Sequence, residues 1–305
     1  MSAWTGGHYS LCRGLLASYL AVRIVSAVQP GSAALVITGF ELLAALLFGV
    51  GIFPRIAAIA LASSWGLSTP ALQDFLLEAL LVTQAFVPEK PYGSWGARGR
   101  PDPGGGWRLS NWIPRLWQGL FLGVIGIETA VWLRALDGSG AAEPGLGFRF
   151  GWLVFLAFAF DPRWLAPRRA AEPEIAYYDG NCGLCHRFVR LCLSEDRDGT
   201  SFRFAPLQGP TFEERVPTEV RASMPDSFVL QRADGVCLVQ SSATGWILCG
   251  LGGYWRMLGQ LVLCIPRPLR DFGYATIARW RKALFAKPEG LCPLVPPHLG
   301  SRFLP

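Results

Sequence analysis

Tyr177-Tyr178-Asp179-Gly180-Asn181-Cys182-Gly183-Leu184-Cys185 is the stretch whose reading decides the fold. Ile175 to Tyr178 is a short apolar run that stops at Asp179-Gly180-Asn181, the pattern of a strand entering a tight turn. From Cys182 to about Glu195, Leu184, Phe188, Leu191 and Cys192 recur at helical spacing on one side. The first cysteine therefore falls at a helix N-terminus. There, free backbone N–H groups and the positive end of the helix dipole favour thiolate over thiol. Two intervening residues bring the second sulfur within reach of the first. The spacing predicts that Cys182 attacks a disulfide to give a mixed disulfide and that Cys185 resolves it.

The α/β alternation continues downstream. Ser201 to Ala205, Ser227 to Leu230 and Val236 to Gln240 read as further strands, with a turn at Asp234-Gly235 between the last two. Pro210 to Ser223 reads as loop or helix, and the remainder as helical until Lys287. Trp246 to Ile265 has nearly the length of a membrane span. Arg256 lies at its centre, however, where a charge costs roughly 2.5 to 3.5 kcal/mol, and Gly250, Gly252 and Gly253 break it. Two buried or interfacial helices are expected there.

Upstream the composition changes. Charged residues are 16% of the whole chain against roughly 25% in soluble domains, and 51% are apolar. Six apolar segments, at about 10–28, 33–52, 55–68, 71–87, 114–135 and 147–160, carry most of the excess. They predict an α-helical transmembrane bundle of about six helices over 1–165, a linker over 166–174 and an α/β domain with extra C-terminal helices over 175–305. Arg55, Lys90, Arg98, Arg100, Arg108, Arg115, Arg163, Arg168 and Arg169 all fall in alternate connections. That asymmetry predicts a multi-pass protein of the inner (plasma) membrane with its C-terminal domain in the cytoplasm. The net charge of +6 is not gathered on any nucleic-acid-binding motif, so no nucleic acid is expected as a partner. Glu41, Glu78 and Glu128 lie inside apolar segments, with Asp74 one turn before Glu78. They read either as a proton, quinone or substrate path or as partners of Arg23 or Arg115.

Eight cysteines are too sparse for a disulfide-stapled scaffold. Cys192, Cys237, Cys249 and Cys264 sit in apolar patterns as small hydrophobes, and Cys292, in a Gly- and Pro-rich tail, is the remaining candidate for a redox thiol. Cys182-x-x-Cys185-His186 also meets the c-type haem attachment pattern, but a strand leads directly into it and the inferred compartment is wrong. Zinc would need a second C-x-x-C or a close His pair, which the sequence lacks. Neither a cofactor nor a metal is expected.

The Tyr178-Asp179-Gly180-x-Cys182-x-x-Cys185 opening, Phe202-Arg203-Phe204-Ala205-Pro206-Leu207, Asp226-Ser227-Phe228-Val229-Leu230, Ile265-Pro266-Arg267-Pro268-Leu269-Arg270-Asp271 and the closing Arg302-Phe303-Leu304 together resemble the DCC family of predicted thiol-disulfide oxidoreductases, over about 174–305. The resemblance implies a thioredoxin-like fold and thiol-disulfide exchange. In such a fold Met224-Pro225, just before the third strand, takes the place of a cis-proline facing the cysteine pair; an ordinary trans proline is the alternative. Asp179 either tunes the thiol and accepts a proton or simply shapes the turn. Gly93-Ser94-Trp95 to Trp107, and Asp161-Pro162-Arg163-Trp164-Leu165, are similar to stretches of DoxX-like and HTTM-type membrane domains. The carboxylase chemistry of HTTM relatives is not carried over, because Lys90 is the only lysine of that half.

The expected function is a membrane-anchored thiol-disulfide oxidoreductase working through Cys182, Cys185, Asp179 and Pro225. Its expected partners are a thiol or disulfide protein or small-molecule substrate, the lipid bilayer and a membrane electron-transfer partner. The alternative is a redox-sensing membrane protein or transporter whose thioredoxin-like domain regulates the bundle.

Overall fold

The structure, a computed structural model, describes residues 4–26, 32–65, 72–136, 146–168, 170–225, 227–285 and 295–305. The chain divides into two compact units, Met1–Arg98 with Gly106–Asp161 and Gly99–Gly105 with Pro162–Pro305.

The first unit is helical among the described residues: α1 (Gly6–Ser26), α2 (Ser32–Val50), α3 (Pro54–Trp65), α4 (Leu72–Thr83), α5 (Trp112–Leu136) and α6 (Leu146–Ala159). Leu16 and Leu20 of α1, Ala45 and Phe48 of α2, and Ala58 and Leu61 of α3 are buried where these helices pack on one another. An aromatic cluster lies near α1. Trp117 packs edge-on to Trp4 at 5.2 Å and to Phe158 at 4.9 Å, and Tyr9 stacks on Trp107 at 5.7 Å. Three of the polar edges find acceptors, as buried aromatics usually do. Tyr9 donates to Gln84 Oε1 at 2.9 Å, Trp117 to Thr83 Oγ1 at 2.8 Å and Trp107 to the Pro88 carbonyl at 2.9 Å.

This unit corrects the expectation of a transmembrane bundle. Among the described residues, no helix is long and apolar enough to cross a membrane. Helices α3 and α4 have 12 residues each and α6 has 14. At 1.5 Å per residue these reach about 18 to 21 Å, against roughly 30 Å of hydrocarbon. Helix α1 is longer but carries Arg13 and Arg23. Some of the apolar side chains assigned to lipid instead bury against neighbouring helices, while others, Val36 and Ile56 among them, stay exposed. The multi-pass inner-membrane location and the cytoplasmic placement of the C-terminal domain rested on those spans and fall with them. Glu41 and Glu78 are each half-buried, and the side chains of Asp74 and Glu128 lie outside what is described.

The second unit contains a four-stranded sheet in the order β2-β1-β3-β4. Strand β1 (Glu174–Tyr178) runs parallel to β2 (Phe202–Pro206) and antiparallel to β3 (Val229–Gln231), which pairs antiparallel with β4 (Cys237–Val239). Every residue of β1 is buried, because both faces of the sheet are covered. Alternation sends Ala176 and Tyr178 to one face, with Phe202, Phe204 and Leu230, and Ile175 and Tyr177 to the other, with Phe212 and Val216. The first face packs against α7 (Gly183–Glu195) and α10 (Gln240–Leu251); the second lies towards α8 (Pro210–Arg215), with α9 (Thr218–Ser223) following in the chain.

Trp246 to Ile265 divides between α10 and α11 (Gly253–Cys264), and Gly252 supplies the break. Its φ of +77° and ψ of −178° belong almost solely to glycine, and an added Cβ would stand 2.8 Å from the Pro167 backbone nitrogen. That contact also fixes the segment expected as a linker. Gly253 N–H donates to the Leu165 carbonyl at 2.7 Å, and Arg168 N–H to the Cys249 carbonyl at 3.1 Å. Helix α12 (Arg267–Leu284) follows, and the short α13 (Pro297–Gly300) leads to a last extended pairing, in which Phe303 bridges Phe204 in parallel on the outer edge of β2.

Candidate active site

The turn after β1 is built on Asp179. Its Oδ1 accepts from Asn181 N–H at 2.9 Å, an Asx turn, and from the Gln208 side-chain amide at 3.1 Å, while Gln208 Oε1 accepts from Gly180 N–H at 3.1 Å. The Asp179 carbonyl accepts from Cys182 N–H at 3.1 Å. These bonds deliver Cys182 to the N-cap of α7 with extended φ and ψ of −112° and 112°. Its sulfur accepts from Cys185 N–H at 3.4 Å, the role that a Ser or Asp oxygen fills in most caps.

Both cysteines are free thiols, buried with Val189, Phe228 and Ile247. The Cys185 thiol, hydrogen-bonded to the Cys182 sulfur, is the main reason that the Cys182 thiol falls from 9.0 to about 6. Burial opposes this, while the Cys185 backbone N–H and the Arg281 guanidinium add to it. Cys185 moves the opposite way, held protonated by that same hydrogen bond and by burial. The pair rests as one thiolate and one thiol near neutral pH.

Arg281, from α12, is the residue the sequence did not point to. It is 4% exposed, and its Nη2 stands 3.7 Å from Asp179 Oδ2. Tyr274, one side of the same helix, accepts from Phe228 N–H at 3.0 Å. The start of α12 is fastened to α10: Arg267 pairs with Asp271 at 3.2 Å, Asp271 accepts from the Ser241 hydroxyl, and Arg270 donates to that hydroxyl at 3.0 Å. The Arg267-Pro268-Leu269-Arg270-Asp271 stretch thus anchors the helix that carries Arg281 to the dithiol. In the sequence this stretch stands out only through its family resemblance, and nothing there shows its reach to the dithiol.

Pro225 is not brought to the pair in the expected form. The described residues contain no cis peptide bond, so Met224–Pro225 is trans, and Pro225 is exposed. Phe228, three positions on, belongs to the same buried cluster as the two cysteines. Burial is the main cause that pushes up the thiols of Cys192, Cys237 and Cys249, which fits inert packing residues. Cys264 is exposed and Cys292 lies outside the described residues. Among the described residues, no three His, Cys, Asp or Glu side chains gather as metal ligands.

A pH titration checks the electrostatics. Thiolate absorbance of the reduced chain is expected to appear with a midpoint near pH 6, since the deprotonated form is populated above the pKa. In Arg281→Leu, which removes a positive charge, that midpoint should move to higher pH. An unmoved midpoint would show that the guanidinium does not act on the sulfur.

A C-x-x-C dithiol at the start of the helix in a β1–α7–β2 unit is an arrangement suited to thiol-disulfide chemistry. Residues 176–287 match the family model described as DCC1-like thiol-disulfide oxidoreductase. The chain is also 33% identical over 136 residues to the Uncharacterized protein YuxK of Bacillus subtilis (strain 168), an alignment that takes in 43% of this chain and 94% of that relative. No solved structure matches. The chain belongs to the DCC1-like thiol-disulfide oxidoreductase family.

Proposed function

We propose that Cys182 and Cys185 cycle between dithiol and disulfide and exchange electrons with thiols or disulfides of other molecules. The observation that carries this reading is the Cys182 sulfur serving as the cap of α7, where hydrogen bonds from Cys185 hold it as a thiolate. Exchange passes through a mixed disulfide on one member of the pair and ends when the other displaces it. Asp179 shapes the turn and pairs with Arg281, which makes it a positioning residue for the two sulfurs.

The test is a redox titration of the full chain in buffers of oxidised and reduced dithiothreitol, quenched by alkylation and read by mass. Cys182 and Cys185 are expected to change together in a single two-electron transition, with Cys192 and Cys249 remaining thiols throughout. A pair that stays reduced at every ratio, or that oxidises with other cysteines, would overturn the assignment.

A further inference from the structure

A cavity of about 270 Å³ lies between α7 and α12, walled by Leu184, Phe188, Phe228, Ile277 and Arg281 and by Cys185. Its surface is almost wholly apolar. The polar groups on its wall are engaged elsewhere: Tyr274 accepts from the Phe228 backbone at 3.0 Å and Arg281 faces Asp179 at 3.7 Å. Cys182 is not among the residues of the wall and is 1% exposed, whereas Cys185 is 6% exposed and opens on it. Both residues are buried, and Cys185 is the member of the pair that reaches the cavity. An apolar void of about 150 Å³ takes up benzene, so this one has room for a ring with a short chain.

Resting on the dithiol/disulfide reading, we propose that the cavity admits the apolar body of a low-molecular-weight arylalkyl thiol, and that this thiol exchanges at Cys185 while Cys182 leaves. The incoming thiolate bonds to the Cys185 sulfur of the oxidised pair. The Cys182–Cys185 bond breaks and its electron pair stays on Cys182. A second thiolate then attacks the sulfur of the bound thiol, forming the small disulfide and releasing Cys185, which takes a proton. Two thiols are oxidised and one protein disulfide is reduced. The direction of attack follows from access, and the leaving group from chemistry. The sulfur whose thiolate is best stabilised departs fastest, and Cys182 keeps the Cys185 backbone N–H at 3.4 Å and the nearby Arg281 guanidinium to stabilise it while Cys185 is bonded to the incoming sulfur. Arg281 on the wall offsets the charge that the entering thiolate carries into an apolar space. This reverses the order expected from the motif alone, in which Cys182 forms the mixed disulfide.

The experiment uses the oxidised full chain with phenylmethanethiol and with glutathione, each rate divided by that thiol's rate with hydroxyethyl disulfide. Phenylmethanethiol should be favoured by about tenfold or more, the ratio that burying a ring's apolar surface gives. Quenching with acid and N-ethylmaleimide should place the benzylthio adduct on Cys185 and the maleimide on Cys182. Ala278→Trp, which fills the cavity, should remove the preference; if that variant does not fold, adduct mapping on the unaltered chain decides. Equal normalised rates, or the adduct on Cys182, would overturn the proposal. If dithiothreitol also leaves the pair untouched, the exchange reading itself fails; if dithiothreitol reduces it normally, only the cavity proposal does.

Discussion

Cys182→Ser is expected to bring thiol-disulfide exchange by the full chain down to the uncatalysed background while leaving the fold intact. The two halves of that expectation have separate physical origins. A serine oxygen forms no disulfide, so the pair can neither accept nor deliver two electrons. The same oxygen is, however, a preferred N-cap acceptor, and it would take over the bond that the Cys182 sulfur now accepts from Cys185 N–H. Unfolding midpoints of the variant and the unaltered chain should therefore differ by no more than about 0.5 kcal/mol, the range of substitutions that keep their contacts. Cys182→Ala removes the cap as well and should cost about 1 kcal/mol. Exchange of a small disulfide at near the original rate in Cys182→Ser would remove this pair from the chemistry.

The largest effect on stability is expected at Arg302. Its guanidinium is buried, with Nη1 donating to the Asp196 carbonyl at 2.8 Å and Nη2 to the Asp196 carboxylate. Asp196 is buried too, and its carboxylate also accepts from the backbone of Ser201 and Phe202, both at 3.3 Å. Arg302→Ala leaves that carboxylate buried without its counter-charge. Such a removal costs about 3 to 5 kcal/mol, a large part of the roughly 5 to 15 kcal/mol that holds a domain folded. Urea unfolding followed by a signal from the second unit should show the midpoint fall accordingly. A loss below about 1 kcal/mol would mean that water reaches the pair and screens it as it does at a surface.

The parts of the molecule that could be read in its sequence are the local ones. Strand, turn, cap and helix from Glu174 to Glu195 follow from nine consecutive residues and a helical repeat, and the Gly252 break from glycine chemistry alone. Three features resisted reading, for different reasons. Hydropathy counts apolar residues without recording what they touch, so Leu16, Phe48 and Leu61 looked like lipid-facing residues until their helices were seen packed on one another. Arg281 comes from a helix about a hundred residues after the motif, and nothing in its neighbourhood marks it as reaching Asp179. The expectation of a cis-proline at Pro225 rests on its position before β3, and position in the chain does not determine the form of a peptide bond or the exposure of a ring.

The pairing of Phe303 with Phe204, together with the Arg302 clamp, bears on how the second unit is made. Strand β2 and the loop before it are synthesised early, yet the outer edge of β2 and the buried Asp196 are completed by residues about a hundred positions later, the Arg302 bonds to Asp196 spanning 106. Closing so long a loop is slow. During translation the nascent domain would carry an open strand edge and a bare carboxylate until residue 302 leaves the ribosome. Open edges invite pairing with other chains. Polypeptides interrupted before that point are thus the form of this protein most exposed to aggregation and to capture by chaperones and proteases.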